Sequence, residues 1–176
     1  MSVVTFKEFE EFIFLPENDE LIFEWIDGEI VEVPRRGTWY SQLALLVGTA
    51  VYGYCQNHQL PSHISGAGGA YRMLENILVP QFAYKLTPMS NDYPDPNPPL
   101  WVAEVITPND LAVIIRKKRQ IYMSAGILLW EMYPKSESID VYAPGKSVQT
   151  FDIDGTLDVS NVLPGFTFAV RDLFAE

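Results

Sequence analysis

The stretch Leu100–Gly126, LWVAEVITPNDLAVIIRKKRQIYMSAG, decides the fold. It opens as an apolar strand, Leu100-Trp101-Val102-Ala103-Glu104-Val105-Ile106, with one carboxylate at its centre. Thr107-Pro108-Asn109-Asp110 supplies turn and helix-start chemistry, and the spacing predicts a helix from Leu111 to Ala125. At about 100° per residue, Leu111, Ile114, Ile115, Ile121, Tyr122 and Ala125 fall on one stripe. Lys118 lies in the middle of that stripe, whereas Arg116, Arg119 and Gln120 point elsewhere. An acid inside a buried strand and a base on the apolar face of the next helix each need a partner, because an unpaired buried charge is costly. The simplest pairing is Glu104 with Lys118. A lysine on an apolar stripe also snorkels to solvent in many helices, and a strand glutamate can occupy an exposed edge. Both readings stand on pattern alone.

Outward from this stretch, the composition describes a folded chain. At 176 residues, 48% hydrophobic and 13% aromatic, it has enough apolar material for the core of a single domain spanning 1–176. The 23 acidic and 12 basic side chains give a formal charge of -11, which opposes indiscriminate nucleic-acid or anionic-membrane binding. Four of the basic residues form the block Arg116-Lys117-Lys118-Arg119, so positive charge gathers where the proposed pair lies. Cys55 is the only cysteine, which excludes an intrachain disulfide and a cysteine-rich zinc site. No signal-peptide pattern and no bilayer-spanning apolar run occurs, so a soluble, cytoplasmic protein is expected.

Before the central stretch, Thr5 caps an amphipathic helix over Phe6–Phe14 that Pro16 ends. Leu21–Val33 reads as two strands around Asp27-Gly28, a dipeptide suited to a type I′ hairpin turn. A second helix is expected from Thr38 or Ser41 to about Asn57. Leu43, Leu46, Val47, Ala50 and Tyr54 share one face of it, while Leu45 and Val51 lie off that face, implying burial on several sides. Cys55, His58 and His63 fit no zinc spacing. The glycine-rich Ile64–Met73 lacks the Gly-Lys-Ser/Thr ending of a phosphate loop and leads into a strand, so close backbone packing explains its glycines better. Ile77–Tyr84 reads as one strand interrupted by Pro80, and proline-rich Asn91–Pro99 as an extended surface loop. Beyond the central helix, Ile127–Tyr133 is a strand, and Ser138–Tyr142, Ser147–Asp152 and Gly165–Phe168 are short antiparallel strands. The order gives an α/β fold: a mixed central sheet flanked by helices, with an N-terminal β-hairpin and short C-terminal strands.

These pieces, taken in order, resemble the Uma-two family of restriction endonucleases, a branch of the PD-(D/E)XK nuclease superfamily. The resemblance covers nearly the whole chain. It is carried by Phe23–Glu32, Gly68-Gly69-Ala70-Tyr71-Arg72, Val79-Pro80-Gln81-Phe82-Ala83, Val102–Pro108, Lys118–Gly126 and Val162-Leu163-Pro164-Gly165-Phe166. It implies a restriction-endonuclease-like fold and metal-dependent hydrolysis of DNA phosphodiesters. In such sites an aspartate after a proline and a glutamate on the next core strand bind Mg²⁺ or Mn²⁺, and a lysine orients or activates water. Glu104 matches the glutamate, and Lys118 matches a lysine displaced to the following helix.

The chain departs from the family pattern where the aspartate belongs, for the motif reads Pro80-Gln81. Gln81 can offer an oxygen to a metal but no charge. Tyr40 and Ser41 stand where a histidine is frequent, and Leu100 and Tyr133 where acids are usual. Glu24 is a third acidic candidate, unless it is an exposed hairpin residue. The resemblance thus implies Glu104, Gln81 and Glu24 as metal ligands, and Glu104, Lys118 and Gln81 as catalytic residues. Two functions follow: a metal-dependent DNA endonuclease weakened by Gln81, or a non-catalytic binding or regulatory homodimer on the nuclease fold.

Overall fold

Thr5 opens the first helix, α1 (Phe6–Ile13), with a capping box: its hydroxyl accepts from the Glu8 amide, and the Glu8 carboxylate accepts from the Thr5 amide. This geometry comes from a computed structural model that describes residues 3–174. The hairpin β1 (Phe23–Ile26) and β2 (Glu29–Glu32) turns at Asp27 and Gly28, with φ of 50° and 77°, as the Asp-Gly pair predicts. Phe9 of α1 is buried against the Trp25 indole of β1. The chain continues through α2 (Thr38–His58), β3 (His63–Gly66), β4 (Tyr71–Met73), β5 (Asn76–Leu78), β6 (Phe82–Lys85) and β7 (Trp101–Val105). Then come α3 (Ala112–Ser124), β8 (Leu128–Tyr133), β9 (Ser138–Tyr142), β10 (Gln149–Phe151), β11 (Thr156–Asp158), β12 (Thr167–Ala169) and α4 (Arg171–Phe174).

Six strands form the central sheet in the order β10-β9-β8-β7-β6-β3. Only β7 and β8 in it run parallel, joined by the crossover helix α3, so the sheet is mixed as expected. A second, antiparallel sheet has the order β2-β1-β5-β4, and β11 pairs with β12. The central sheet is covered on both faces. Strand alternation sends Trp101, Ala103, Val105, Trp130 and Met132 toward α2, whose Leu43, Val47 and Val51 complete that core. Val102 and Leu129 face the other way, against Ile121 and Tyr122 of α3 and Ile26 and Leu78 of the smaller sheet. Trp101 and Trp130 pack edge to face with centroids 4.6 Å apart, and truncating either to Ala would cost about 3–5 kcal/mol.

The structure revises four expectations. Ile77–Tyr84 is not one strand: β5 and β6 belong to different sheets, and Pro80-Gln81 is the crossover between them. A proline suits that place because it has no amide to give either ladder. Proline-rich 91–99 is not wholly superficial, for Asp95 is buried in an ion pair with the buried Lys85. Leu45, one of the residues taken to bury a second side of α2, is 68% exposed, whereas Val51 is buried. Leu111 precedes α3 and is also exposed, so the apolar stripe begins a turn later than the spacing predicts.

Candidate active site

Glu104 sits on the face of β7 opposite Trp101 and Val105, and this alternation aims it at α3. Glu24 comes from β1, and its buried carboxylate accepts the Val79 amide at 2.8 Å. Lys118, on the inner side of α3, bridges them: Nζ lies 2.8 Å from Glu24 Oε1 and 2.6 Å from Glu104 Oε1. The Tyr122 hydroxyl, one helical turn beyond Lys118, donates to the same Glu104 oxygen at 2.6 Å. Glu24 is 3% and Glu104 6% exposed, so Glu24 is not a solvent-facing hairpin residue. The lysine predicted to pair with one acid therefore pairs with two.

These groups line a cleft of about 190 Å³ together with Gln81, Arg36, Asp110, Arg119 and Glu131. Burial alone would lower the Lys118 pKa, but the charges of Glu104 and Glu24 outweigh it, and the ammonium is held above its ordinary range. Glu24 is pushed the other way from a usual salt-bridged acid. Burial raises it, Lys118 opposes, and the neighbouring Glu104 charge raises it further. Burial, followed by Glu104 and Glu24, also drives the Tyr122 hydroxyl well above its normal value, so it remains a donor.

Gln81 stands just before β6, next to β7, and lines the same cleft. Its side-chain oxygen accepts the Val105 amide. Gln81 thus continues the sheet's hydrogen bonding where Pro80 interrupts the strand.

Two further charge pairs escape the sequence reading. Glu131 of β8 lies directly beside Glu104 in the parallel register and is fully buried. It accepts from Arg119 Nε at 2.9 Å, Arg119 Nη2 at 2.6 Å and the Tyr133 hydroxyl at 2.7 Å. The helical wheel turned Arg119 away from Lys118, yet its long side chain reaches the strand and stacks its guanidinium over Tyr142. An acid in the middle of the apolar run Leu128–Tyr133 is the same signal that singled out Glu104, and it would have found Glu131. Arg36, after β2, binds Asp110 through Nη1 and Nη2 at 3.0 Å each and the Val105 carbonyl at 3.0 Å. Asp110 also accepts the Thr107 amide and hydroxyl. Burial opposes ionisation of Asp110, but Arg36 and Thr107 prevail and hold its pKa below the ordinary value.

The residues fit a hard divalent cation, though sparely. Mg²⁺ is commonly held by one or two carboxylates with water and phosphate completing its shell. The closest contacts of Lys118, and the bonds from the Val79 amide and the Tyr122 hydroxyl, fall on Oε1 of the two carboxylates. No third His, Cys, Asp or Glu completes a cluster with them among the described residues.

A family model described as "Uma2: Putative restriction endonuclease" matches residues 8–171. The chain belongs to the Uma2 family. Its fold is similar to the crystal structure of a "putative nuclease belonging to DUF820" from Anabaena variabilis, with 19% identity, a TM-score of 0.79 and 98% of each chain covered. No curated protein matches the sequence. This Uma2 member is thus nuclease-like in family and fold. Among the described residues, no helix is long and apolar enough to cross a membrane.

Proposed function

We propose that this protein is a metal-dependent DNA endonuclease that hydrolyses phosphodiesters in the cleft of Glu24, Glu104 and Lys118, with Mg²⁺ or Mn²⁺ binding weakened because Gln81 stands where an aspartate ligand belongs. The observation carrying this reading is the Lys118 ammonium within 2.8 Å of two buried carboxylates that line one cleft. Glu104 and Glu24 would hold the cation, which when bound supplies positive charge to the phosphate and lowers the pKa of a water. Lys118, held protonated, acts as a donor and fixed positive charge toward a phosphate oxygen or water, and not as a base. Tyr122 fixes the Glu104 carboxylate from the helix side. Gln81 contributes backbone order in place of an anionic ligand.

The use of the Gln81 oxygen by Val105 favours a second reading, a non-catalytic binding or regulatory homodimer. Calorimetric titration with Mn²⁺ and a plasmid-nicking assay separate the two. Weak Mn²⁺ binding with nicking abolished in Glu104→Gln supports the endonuclease. A folded protein that neither binds Mn²⁺ nor nicks DNA at high enzyme concentration supports the binding protein.

A further inference from the structure

Among the described helices, only α2 carries no Asp, Glu, Lys or Arg. Its 21 residues are uncharged in a protein that is 20% charged, with a net charge of -11. One side of α2 is accounted for, because Leu43, Val47 and Val51 are buried in the core of the central sheet. On the opposite side Gln42, Leu45, Thr49, Tyr52 and Gln56 are exposed. They recur at alternating steps of three and four residues, the spacing of a seam between two helices. Leu45 is 68% exposed and Tyr52 50%, so the middle of this seam is a large side chain's surface left to water. Leu45, Thr49 and Tyr52 also border a hollow of about 720 Å³ whose lining includes Leu21, Ile22 and Val33.

We infer that this seam is a homodimer interface, in which α2 packs antiparallel against α2 of a second copy. The inference goes beyond both readings of the cleft, and neither metal nor DNA enters it. Charge selects the occupant. Two chains that each carry -11 repel one another, so they approach best through a face that bears no acids of its own. The edge of the hollow carries both signs, for Glu20, Glu32 and Arg35 line it and make no ion pair among the described residues. An acidic partner would find only Arg35 to meet, whereas a second copy brings its own arginine to these glutamates. Spacing supplies the self-complementarity that a two-fold contact requires. Leu45 and Tyr52 are two turns apart, with Gly48 and Thr49 midway between them. An axis passing there sets Leu45 of each copy against the partner's Tyr52. The ridge that borders the hollow is then the ridge that enters the partner's hollow.

The test is sedimentation velocity of the full chain at micromolar concentration, without metal or DNA, where a species of twice the chain mass is expected. Leu45→Glu and Tyr52→Glu, both at exposed positions, should keep the parent's far-ultraviolet circular dichroism and weaken the dimer at least about thirtyfold. Leu74→Glu, at an exposed leucine in the β4–β5 turn, should leave the dimer intact. Oxidative cross-linking reads the direction of the helices independently of those variants. Thr49→Cys, beside the axis, should link to its own counterpart, whereas Gln42→Cys, roughly 20 Å from its counterpart in an antiparallel pair, should not. A chain that stays monomeric overturns the inference. So does a dimer that survives both glutamates, or one that Gln42→Cys links as readily as Thr49→Cys. A monomer that still nicks plasmid in Mn²⁺ would remove the interface and leave the endonuclease standing.

Discussion

Lys118 places its ammonium 2.6 Å from Glu104 Oε1 and thereby joins the second core strand of the site to the helix that follows it. Glu24, at 2.8 Å on the other side, makes the lysine common to both sheets. Two buried acids thus share one base, and the triad as a whole carries one negative charge when all three groups are ionised. That residual charge is what a cation or a proton would neutralise.

Removing the base should therefore cost more than a surface ion pair. Lys118→Met leaves two facing buried carboxylates and is expected to destabilise the fold by about 3 kcal/mol or more, measured by urea unfolding at neutral pH. The pH dependence has a definite sign. Glu24 already has a raised folded pKa, and a carboxylate raised in the fold loses stability as pH rises through that value. Without Lys118 this loss deepens, so the variant should approach the parent below about pH 4 and diverge above it. A gap between the two proteins that is flat from acid to neutral pH would mean that Lys118 acts by packing alone.

The second prediction concerns Glu131. Arg119→Leu strands a fully buried carboxylate with only the Tyr133 hydroxyl for company, and should cost about 3–5 kcal/mol. The double variant Arg119→Leu, Glu131→Leu should regain most of this, because a buried ion pair replaced by apolar groups is often close to neutral. Thermal or denaturant melts of the two singles and the double complete the cycle. If the double is as unstable as Arg119→Leu, the pair is not what the arginine supplies.

Much of this site was legible because its signals are local. An acid in an apolar strand and a base on an apolar helical stripe are conflicts within a few residues, and burial forces their resolution; Glu104 and Lys118 followed from that. Asp27-Gly28 was equally plain, since few dipeptides tolerate positive φ twice. The entry of Glu24 was not legible in this way. Its burial depends on Val79 and on the smaller sheet folding over the larger, a contact between residues 55 apart in sequence. Pro80 marked a break in Ile77–Tyr84, but nothing local tells an interruption within one strand from a crossing between two sheets. Arg119 was misplaced because a helical wheel assigns directions to Cβ atoms, and a long side chain can depart from them.

Acid should loosen the Thr107–Leu111 loop that lines the cleft. Asp110 has a lowered folded pKa, so its contribution is present above its unfolded value, near 3.8, and disappears as pH falls through the lower folded one. Its bonds to Arg36 and Thr107 then fail together. Asp110→Asn should cost about 2 kcal/mol at neutral pH, and the difference should shrink as the pH falls below the unfolded value, read from melts across the acid range. A constant difference at all pH values would assign the loss to altered hydrogen-bond geometry instead of charge.

Gln81 offers the sharpest test of the proposed metal site. Mg²⁺ takes few direct protein ligands and prefers anionic oxygens, so Gln81→Asp should tighten Mn²⁺ or Mg²⁺ binding at least about tenfold in calorimetry. Plasmid nicking should rise in parallel, and a superimposed Glu104→Ala should abolish both. The substitution also has a structural cost, because aspartate is one methylene shorter and the Val105 amide would lose the oxygen it now donates to. A buried amide left without an acceptor costs about 1–3 kcal/mol, which sets the loss expected in a melt. Gln81→Leu separates these effects: it should show the same loss of stability with no gain in metal affinity. If Gln81→Asp folds, melts within that loss and still binds no cation, the deficit lies beyond one missing charge, with Lys118 already occupying the carboxylates. The binding-protein reading would then account for the cleft better than a weakened nuclease.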